Sequence, residues 1–476
     1  MMDDVDSKLG RQLFDGALAA VINAIRTELA KGRTPRQKTG EPSLTMRDNG
    51  MPSLTNGTYY EERGPLQYAD LLEPPRQSGG PFNTRKLEEG RFAEVDALVD
   101  FVMAHPDCAI SLTPLSLAEA PAGLNLARIM IEIQLAHAAN RFLQRYGDAS
   151  YDGTRRWAVL MPILRGFFDR QLKVAAVILI ALVRFDFDRL RLAHDAYIIR
   201  MSEALQKRRW AVKAYGANGH EGVVAAATHA FVVTGWQWPN LPWMQMSTNL
   251  AARTPALRDV IEELFAALRL TTGVATGYAQ ELRVARGWTH LHTDLPPEVH
   301  DAGARRYPEQ FDDFGWMRED LPTITREEML AVSTVLARIR HAGDERVELA
   351  LRRLNGAMIR LDVADAVLDA TIALEILLGD GDGQAIGYKL RLRAAALANL
   401  LDPGSGPAVS AAVKGTYEAR SRIVHGVGRR SKTTADNGAQ VREVALGVLR
   451  TVLRAILENP KFLTPARIDA ELLIGR

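Results

Sequence analysis

Arg420 and His425 stand five residues apart near the end of the chain, and Gly426 directly follows the histidine. Glycine often ends a helix, so both side chains are expected at a helix C-terminus. The arginine is a permanent cation, and a histidine exchanges a proton near neutral pH. Metal-free cleavage of RNA needs these groups, because the 2′-hydroxyl loses a proton, the leaving oxygen gains one and the phosphate gathers negative charge.

The spacing of this pair is not specific by itself. With 48 arginines and 10 histidines in the chain, about one such pair is expected by chance. Arg189 and His194 form a second pair with the same spacing. The two pairs differ at the residue after the arginine, which is Ser421 in one and Leu190 in the other.

Three blocks of sequence give the first pair its context: A-L-E-I-L-L-G-D at 373–380, Y-K-L-R-L-R-A-A-A-L at 388–397 and Y-E-A-R-S-R-I-V-H-G at 417–426. Their order and spacing resemble the ApeA-like branch of the HEPN superfamily, whose hallmark is Arg-polar-x3-His. Ser421 supplies the polar residue, and the resemblance covers roughly residues 325–460. It implies a helical domain that dimerises and cuts RNA without a metal, leaving 2′,3′-cyclic phosphate ends. It further implies a role in bacterial defence against phage or as a toxin.

This resemblance makes Arg420 and His425 the catalytic residues, with Ser421 in a supporting place. Two more residues are expected to support them. Glu375 lies in an apolar helical run, where a carboxylate needs a partner. It either orients Arg420 or His425 or belongs to a structural ion pair. Tyr417 precedes Arg420 by three residues, so the two share a helix face. Its ring either stacks on a base or packs in the core.

Basic residues are concentrated around this segment. Between Ala385 and Lys432 there are nine lysines and arginines against two acidic residues, Asp402 and Glu418. These charges either contact RNA phosphates or simply decorate solvated helix surfaces. The RNA-binding candidates are Lys389, Arg391, Arg393 and Arg422.

The geometry of a helix favours two copies of the chain. Five residues at 100° per residue place Arg420 and His425 about 140° apart on an ideal helix. Either His425 lies beyond the helix end or two copies pair. A two-fold dimer also supplies the second histidine that in-line cleavage needs as acid or base. The expected partners are therefore RNA and a second copy of this chain.

Composition sets the broad class. The net charge is only +2, from 59 basic and 57 acidic residues in 476, so there is no global nucleic-acid signature. A single cysteine, Cys108, excludes an internal disulfide and a cysteine zinc cage, and a reducing cytoplasmic setting is expected. The N-terminus lacks the pattern of a signal peptide. The apolar run Val174–Val183 is too short to span a membrane and predicts a buried strand.

The sequence predicts an α+β fold, with a mixed N-terminal region followed by an all-α HEPN-like bundle. The predicted parts are an N-terminal helix (1–31), a loop-rich or partly disordered segment (32–85), an α+β domain that senses a trigger or selects the substrate (86–320), the helical domain (325–460) and a C-terminal tail (461–476). Residues 294–323 look like a linker because they are rich in Asp and Pro.

Local patterns predict the individual elements. Six helices are expected near 326–341, 344–356, 362–378, 386–401, 407–425 and 436–458. Helical spacing is also seen at Ala196–Trp210 and Pro255–Leu270, and a strand is expected at Gly277–Trp288. Residues 223–236 fit either a strand or a buried helix.

Metal-dependent chemistry is the rival enzymatic interpretation. His290 and His292 could share a zinc ion on one strand face, with Asp294, His300 and Asp301 nearby, but no third ligand follows at a diagnostic spacing. Asp186 and Asp188 could bind Mg²⁺ or simply occupy the exposed face of an edge strand. The site is expected to hold no metal and no cofactor. The other rival is a non-catalytic HEPN-like module that dimerises or binds nucleic acid.

Overall fold

The computed structural model describes residues 2–56, 63–73, 87–105, 107, 126–213, 219–289, 298–380, 385–424 and 435–475. Its α-helices are α1 (Met2–Ala30), α2 (Ala93–Ala104), α3 (Leu126–Tyr146), α4 (Gly153–Phe168), α5 (Glu203–Ala211), α6 (Glu221–Ala225), α7 (Trp243–Ala251), α8 (Pro255–Thr272), α9 (Arg326–Ala342), α10 (Glu345–Ile359), α11 (Val363–Leu378), α12 (Ile386–Leu401), α13 (Gly406–Val424), α14 (Ala435–Glu458) and the single turn α15 (Pro465–Arg467).

Its strands are β1 (Arg36–Thr39), β2 (Ser43–Met46), β3 (Pro52–Thr55), β4 (Arg63–Gln67), β5 (Gln171–Ile180), β6 (Arg184–Phe185), β7 (Arg189–Arg191), β8 (Ala196–Arg200), β9 (His229–Pro239), β10 (Tyr278–Ala285), β11 (Val299–Asp301) and β12 (Thr323–Ile324). Helices and sheets therefore mix along the chain, and the α+β class is confirmed.

The first layer is helical. α1 packs on α2, α3 and α4, and their apolar faces form a separate core with Phe14, Phe142 and Phe167 among its buried side chains. Within α1, Leu18, Ile22 and Ile25 are fully buried. Their spacing of three and four residues is the helical repeat from which the sequence predicts this helix.

The second layer is a six-stranded antiparallel sheet in the order β11-β10-β5-β9-β8-β7. Its central strand, β5, is buried on both faces. Ile178 and Ile180 pack towards the C-terminal helices, whereas Val177 and Leu179 pack on the opposite side. A strand covered on both faces gives a continuous apolar run, so the buried strand predicted at Val174–Val183 is confirmed as far as Ile180, where β5 ends.

The third layer holds the C-terminal helices α9 to α14, whose observed bounds follow the six predicted helices closely. Local signals are strong here. Thr325 caps α9, and its side chain accepts from the backbone N–H of Glu328 while the Glu328 carboxylate accepts from the backbone N–H of Thr325. Gly343 ends the same helix with a left-handed φ of 53°.

The second and third layers share one hydrophobic core. α8 contacts α9 and α10, and residues of the sheet, of α8 and of the C-terminal helices belong to the same buried cluster. Residues 294–323 do not act as a linker where the structure describes them. Val299, Tyr307, Phe311 and Leu321 are buried, and β11 pairs with β10. Their apolar side chains, spaced between polar ones, attach this segment to the sheet.

Three further expectations need correction. Residues 36–67 contain four short strands and are not simply loops where they are described. Ala196–Trp210 is not one helix, because Ala196–Arg200 pairs with β9 as a strand before α5 begins. The segment 461–476 is no free tail, since Phe462 and Ile468 are buried in the shared core.

Among the helices that the structure describes, none has both the length and the apolar character needed to cross a membrane.

Candidate active site

Arg420 lies four residues before Val424, the last residue of α13. Its side chain is one-third exposed, and the terminal nitrogen Nη2 lies 3.8 Å from Oε1 of Glu375 on α11. The guanidinium carbon lies 5.6 Å from the ring centroid of Tyr417, one turn earlier on the same helix. The arginine is therefore held in place by a carboxylate at the limit of an ion pair and by an aromatic ring.

Glu375 forms a hydrogen bond with Tyr417 rather than with Arg420. The Tyr417 hydroxyl donates to Oε1 of Glu375 at 3.1 Å. Burial raises the pKa of Tyr417, and the negative charge of Glu375 and this hydrogen bond raise it further. The tyrosine consequently stays protonated at neutral pH and remains a donor. Glu375 thus finds the partners that its place in an apolar helix requires.

The guanidinium of Arg420 keeps unused donors. Its Nε is buried and has no hydrogen-bond partner among the described residues. The contact to Glu375 is too long for a hydrogen bond. Five N–H donors in a planar fork match the oxygens of a phosphate group. The exposed third of this side chain can donate to an anion that arrives at this helix end.

The helix α12 supports the site from one side. A Cβ built at Gly387 would lie 3.4 Å from Cδ1 of the Tyr417 ring, so the start of α12 lies against the end of α13. Tyr388, next in sequence, is 62% exposed, and Val424 at the end of α13 is 54% exposed. Apolar surface therefore lies open at the end of the bundle that carries Arg420.

His425 and Gly426 lie outside the described residues, as does the segment through 434. The last described residues before His425 are on a helix whose bounds agree with the prediction. Ser421 and Arg422 are exposed on this last turn.

Arg393 is not available to RNA, which corrects the prediction. It is 3% exposed and donates to both carboxylate oxygens of Asp380 and of Asp469 and to the carbonyl of Leu378, at 2.5–3.0 Å. Its five N–H groups are all used. The hydrogen bonds to Asp469, and then those to Asp380, raise the pKa of Arg393 against the effect of burial. Its role is to tie α12 to the C-terminal segment.

Lys389 is also paired, 2.9 Å from Asp380. Hydrogen bonds from Arg393 and Lys389 hold the pKa of Asp380 below its usual value. Arg391 is half-buried, and its Nε has no hydrogen-bond partner in the part of the chain that the structure describes. Of the four RNA-binding candidates, Arg391 and Arg422 therefore have the more accessible charge.

The local charge is smaller than the sequence count indicates. Glu375, Asp380 and Asp469 lie outside the window 385–432 but contact its basic residues. They reduce the excess of seven positive charges to four. Asp380 belongs to the first sequence block, whereas Asp469 is 76 residues from Arg393 and no sequence signal links the two.

The second arginine–histidine pair lies in a different setting. Arg189 is on the edge strand β7, with its guanidinium carbon 5.1 Å from the ring centroid of Tyr197, and His194 is in the turn before β8 with its side chain 86% exposed. Neither residue is at a helix end. The fold thus distinguishes the two arginine–histidine pairs, although their spacing in the sequence is the same.

The metal-site alternatives find little support in the described residues, which contain no group of three His, Cys, Asp or Glu side chains that could hold a metal. His290, His292 and Asp294 lie outside the described residues. His300 Nε2 is 2.8 Å from Glu298, and Asp301 accepts from Gln280 and Gly303.

Asp186 and Asp188 are exposed on one side of an alternating segment, as predicted. They have different partners. Asp186 accepts from the backbone N–H of Arg326, and Asp188 from the side chain of Arg200 at 2.5 Å. Hydrogen bonding and the charge of Arg200 hold the pKa of Asp188 below its usual range. Both carboxylates therefore have structural roles in this fold.

Comparison with known proteins gives no relative: no protein-family model, no curated protein and no solved structure matches this chain. The case for a function consequently lies in the residues of the site and their geometry.

Proposed function

We propose that the chain is a metal-independent endoribonuclease of the HEPN type that acts as a homodimer. Arg420 holds the scissile phosphate, and His425 transfers protons. The observation that carries the proposal is the state of Arg420. It stands at the exposed end of α13, is held by Glu375 and Tyr417, and has an Nε with no hydrogen-bond partner among the described residues.

The proposed reaction is transesterification. The 2′-oxygen forms a bond to the adjacent phosphorus, and the bond from phosphorus to the 5′-oxygen breaks. One histidine of the dimer takes the proton of the 2′-hydroxyl, and the second gives a proton to the departing 5′-oxygen. Arg420 neutralises the charge that gathers on the non-bridging oxygens. The products are a 2′,3′-cyclic phosphate and a free 5′-hydroxyl.

Glu375 and Tyr417 act on Arg420 rather than on RNA in this proposal. The carboxylate sets the direction of the guanidinium, and the tyrosine hydroxyl fixes the carboxylate at 3.1 Å. Because Tyr417 already packs against Arg420 and Gly387, its ring has a structural role before any base is bound. In a cell, such an enzyme fits defence against phage or a toxin role, as the family resemblance implies.

Arg420→Lys is expected to lower RNA cleavage by about 10²-fold or more while the melting temperature stays unchanged. The variant keeps the charge but loses the planar two-point contact with phosphate. Cleavage of a labelled RNA and a thermal melt measure the two effects. Arg189→Lys is a matched control, because Arg189 also lies against a tyrosine ring and precedes a histidine by five residues.

An Arg420→Lys protein with full activity would contradict the proposed role of Arg420. If the wild-type chain binds RNA but never cleaves it, the non-catalytic module becomes the better description. If the variant melts several degrees lower, the contact between Arg420 and Glu375 is chiefly structural.

Cleavage is expected to survive an excess of EDTA, since Arg420 supplies the positive charge that a divalent ion supplies elsewhere. The rate should be equal in EDTA and in Mg²⁺ at matched ionic strength. A loss of activity with chelator that Mg²⁺ or Zn²⁺ restores would move the site to Asp186 and Asp188 or to His290 and His292.

The chain is expected to be a dimer of two 52.5 kDa copies at micromolar concentration. One copy has a single histidine in this segment, and exposed Tyr388 and Val424 offer apolar surface beside Arg420. Light scattering measures the mass. Val424→Asp should shift the population towards monomer and lower cleavage with it, whereas an active monomer would rule out the shared cleft.

A further inference from the structure

A cavity lies between α8, α10 and the start of β10, on the seam between the sheet and the C-terminal helices. Its volume is about 330 Å³, and its walls include Phe265 and Arg269 of α8, Arg352 and Asn355 of α10, and Tyr278 of β10. This is at the lower end of the size range of small-molecule sites. It can hold a molecule of mononucleotide size.

The mouth of the cavity is basic. Arg258, Arg306 and Arg352 are exposed there, and they come from three separate segments of the chain. Arg258 has no ion-pair partner among the described residues. Arg306 is 3.8 Å from Glu262, and Arg352 is 3.3 Å from Glu348 on the solvent side. With Arg269, four guanidinium groups line the cavity against two carboxylates, those of Asp259 and Glu262.

The inner wall contains donors that the protein itself does not satisfy. Tyr278 is 1% exposed, and its hydroxyl has no hydrogen-bond partner within the described ranges. Burial, followed by the charge of Glu262, raises the pKa of Tyr278 to about 12, so the hydroxyl keeps its proton. Tyr278, Glu262 and Arg306 all line the cavity.

Arg269 adds a second open donor. It is 2% exposed and donates to Oδ1 of Asn355 at 2.7 Å and to the carbonyl of Thr276. Its Nε is buried without a partner in the described structure. A buried donor without an acceptor costs free energy, and two beside one cavity favour a ligand that brings acceptor oxygens.

The remaining wall contains aromatic and aliphatic side chains. Phe265 stacks on Tyr278 with ring centroids 5.2 Å apart at 25°, and Ile359 completes this side. We propose that the cavity binds a small organic phosphate of mononucleotide size, with its phosphate among the arginines and its organic part against this wall. Several convergent guanidinium forks suit a dianion with three terminal oxygens better than a single carboxylate.

A ligand in this place contacts α8 and α10 at once. It would therefore stabilise the seam between the sheet and the C-terminal helices, and the melting temperature should rise with its concentration. Binding here does not depend on whether the chain cleaves RNA, so the two proposals can fail separately.

The test is calorimetric titration of the full chain with AMP, ribose 5-phosphate, inorganic phosphate and adenosine. AMP is expected to bind, and adenosine, which lacks the phosphate, is not. Arg352→Gln should weaken AMP binding by about 10-fold or more, the effect of one charge-assisted hydrogen bond. Arg346→Gln is the matched control on the same helix, since the Arg346 side chain is 43% exposed, lies 3.5 Å from Asp344 and does not line the cavity.

Tyr278→Phe separates binding from folding. Because the hydroxyl is unpartnered in the free protein, its removal should leave the melting temperature equal or higher, yet weaken AMP about 2- to 10-fold. Binding of ribose 5-phosphate in place of AMP would support a sugar phosphate as the organic part. Inorganic phosphate that binds as tightly as AMP, adenosine that binds equally well, or an affinity unchanged in both variants would each overturn the proposal. Absence of binding by all three phosphates would also overturn it.

Discussion

His425→Ala is expected to lower RNA cleavage by about 10²–10⁴-fold, the usual contribution of a general acid or base. In the proposed dimer the substitution removes both proton-transfer groups of a cleft at once, so the effect should lie in the upper part of this range. The measurement is the single-turnover rate on a short labelled RNA, with a thermal melt of each variant. RNA affinity should change little, because Arg420 and the exposed Arg422 keep their charges.

His194→Ala is the control for this prediction. His194 also follows an arginine by five residues but lies in an exposed turn between β7 and β8. Its removal should leave cleavage and stability unaltered. A His425→Ala protein that cleaves normally, or one that loses activity only because it unfolds, would contradict the catalytic role of His425. The Arg420–His425 motif would then be structural.

Arg393→Met is expected to destabilise the protein by about 3 kcal/mol, the lower end of the cost of breaking a buried ion pair from one side. Asp380 and Asp469 would lose their shared cation, and the carbonyl of Leu378 would lose a donor. The lower end applies because both carboxylates are about one-third exposed and regain some hydration. The measurement is a urea titration followed by circular dichroism.

Arg391→Met, two residues away on the same helix, is the matched control. Its side chain is half-buried and contacts no carboxylate among the described residues, so the expected change in the free energy of unfolding is within about 0.5 kcal/mol. Equal urea midpoints for Arg393→Met and Arg391→Met would mean that the ion pairs of Arg393 contribute nothing to stability. If Arg393→Met instead lost RNA binding at unchanged stability, the contact with an RNA phosphate that the sequence predicts for Arg393 would be correct.

The C-terminal helices show where local sequence suffices. α9 begins after a reciprocal cap of Thr325 and Glu328 and ends at the left-handed Gly343. Apolar residues at helical spacing lie between these signals, and Met329, Val332, Leu336 and Ile339 are all buried. Each signal is local, so it can be read from sequence without knowledge of the neighbouring elements.

The short strands show where local sequence is not enough. β1 has four exposed residues, and therefore no alternation of apolar and polar side chains. Ala196–Arg200 has helical spacing with the residues that follow, yet it becomes a strand because its backbone pairs with β9. The partner strand, 29 to 37 residues later, supplies the hydrogen bonds that decide between the two structures.

The sequence by itself determined which chemical groups the chain has: one arginine–serine–histidine motif at the end of a helix, a single cysteine and a carboxylate within an apolar helix. Only the tertiary structure decided which charges are available. Arg393 is neutralised by Asp469, 76 residues away, whereas Arg420 keeps open donors and four arginines converge on one cavity. Ion pairs and cavities form between segments distant along the chain, and their energies depend on distances and burial that exist only after folding.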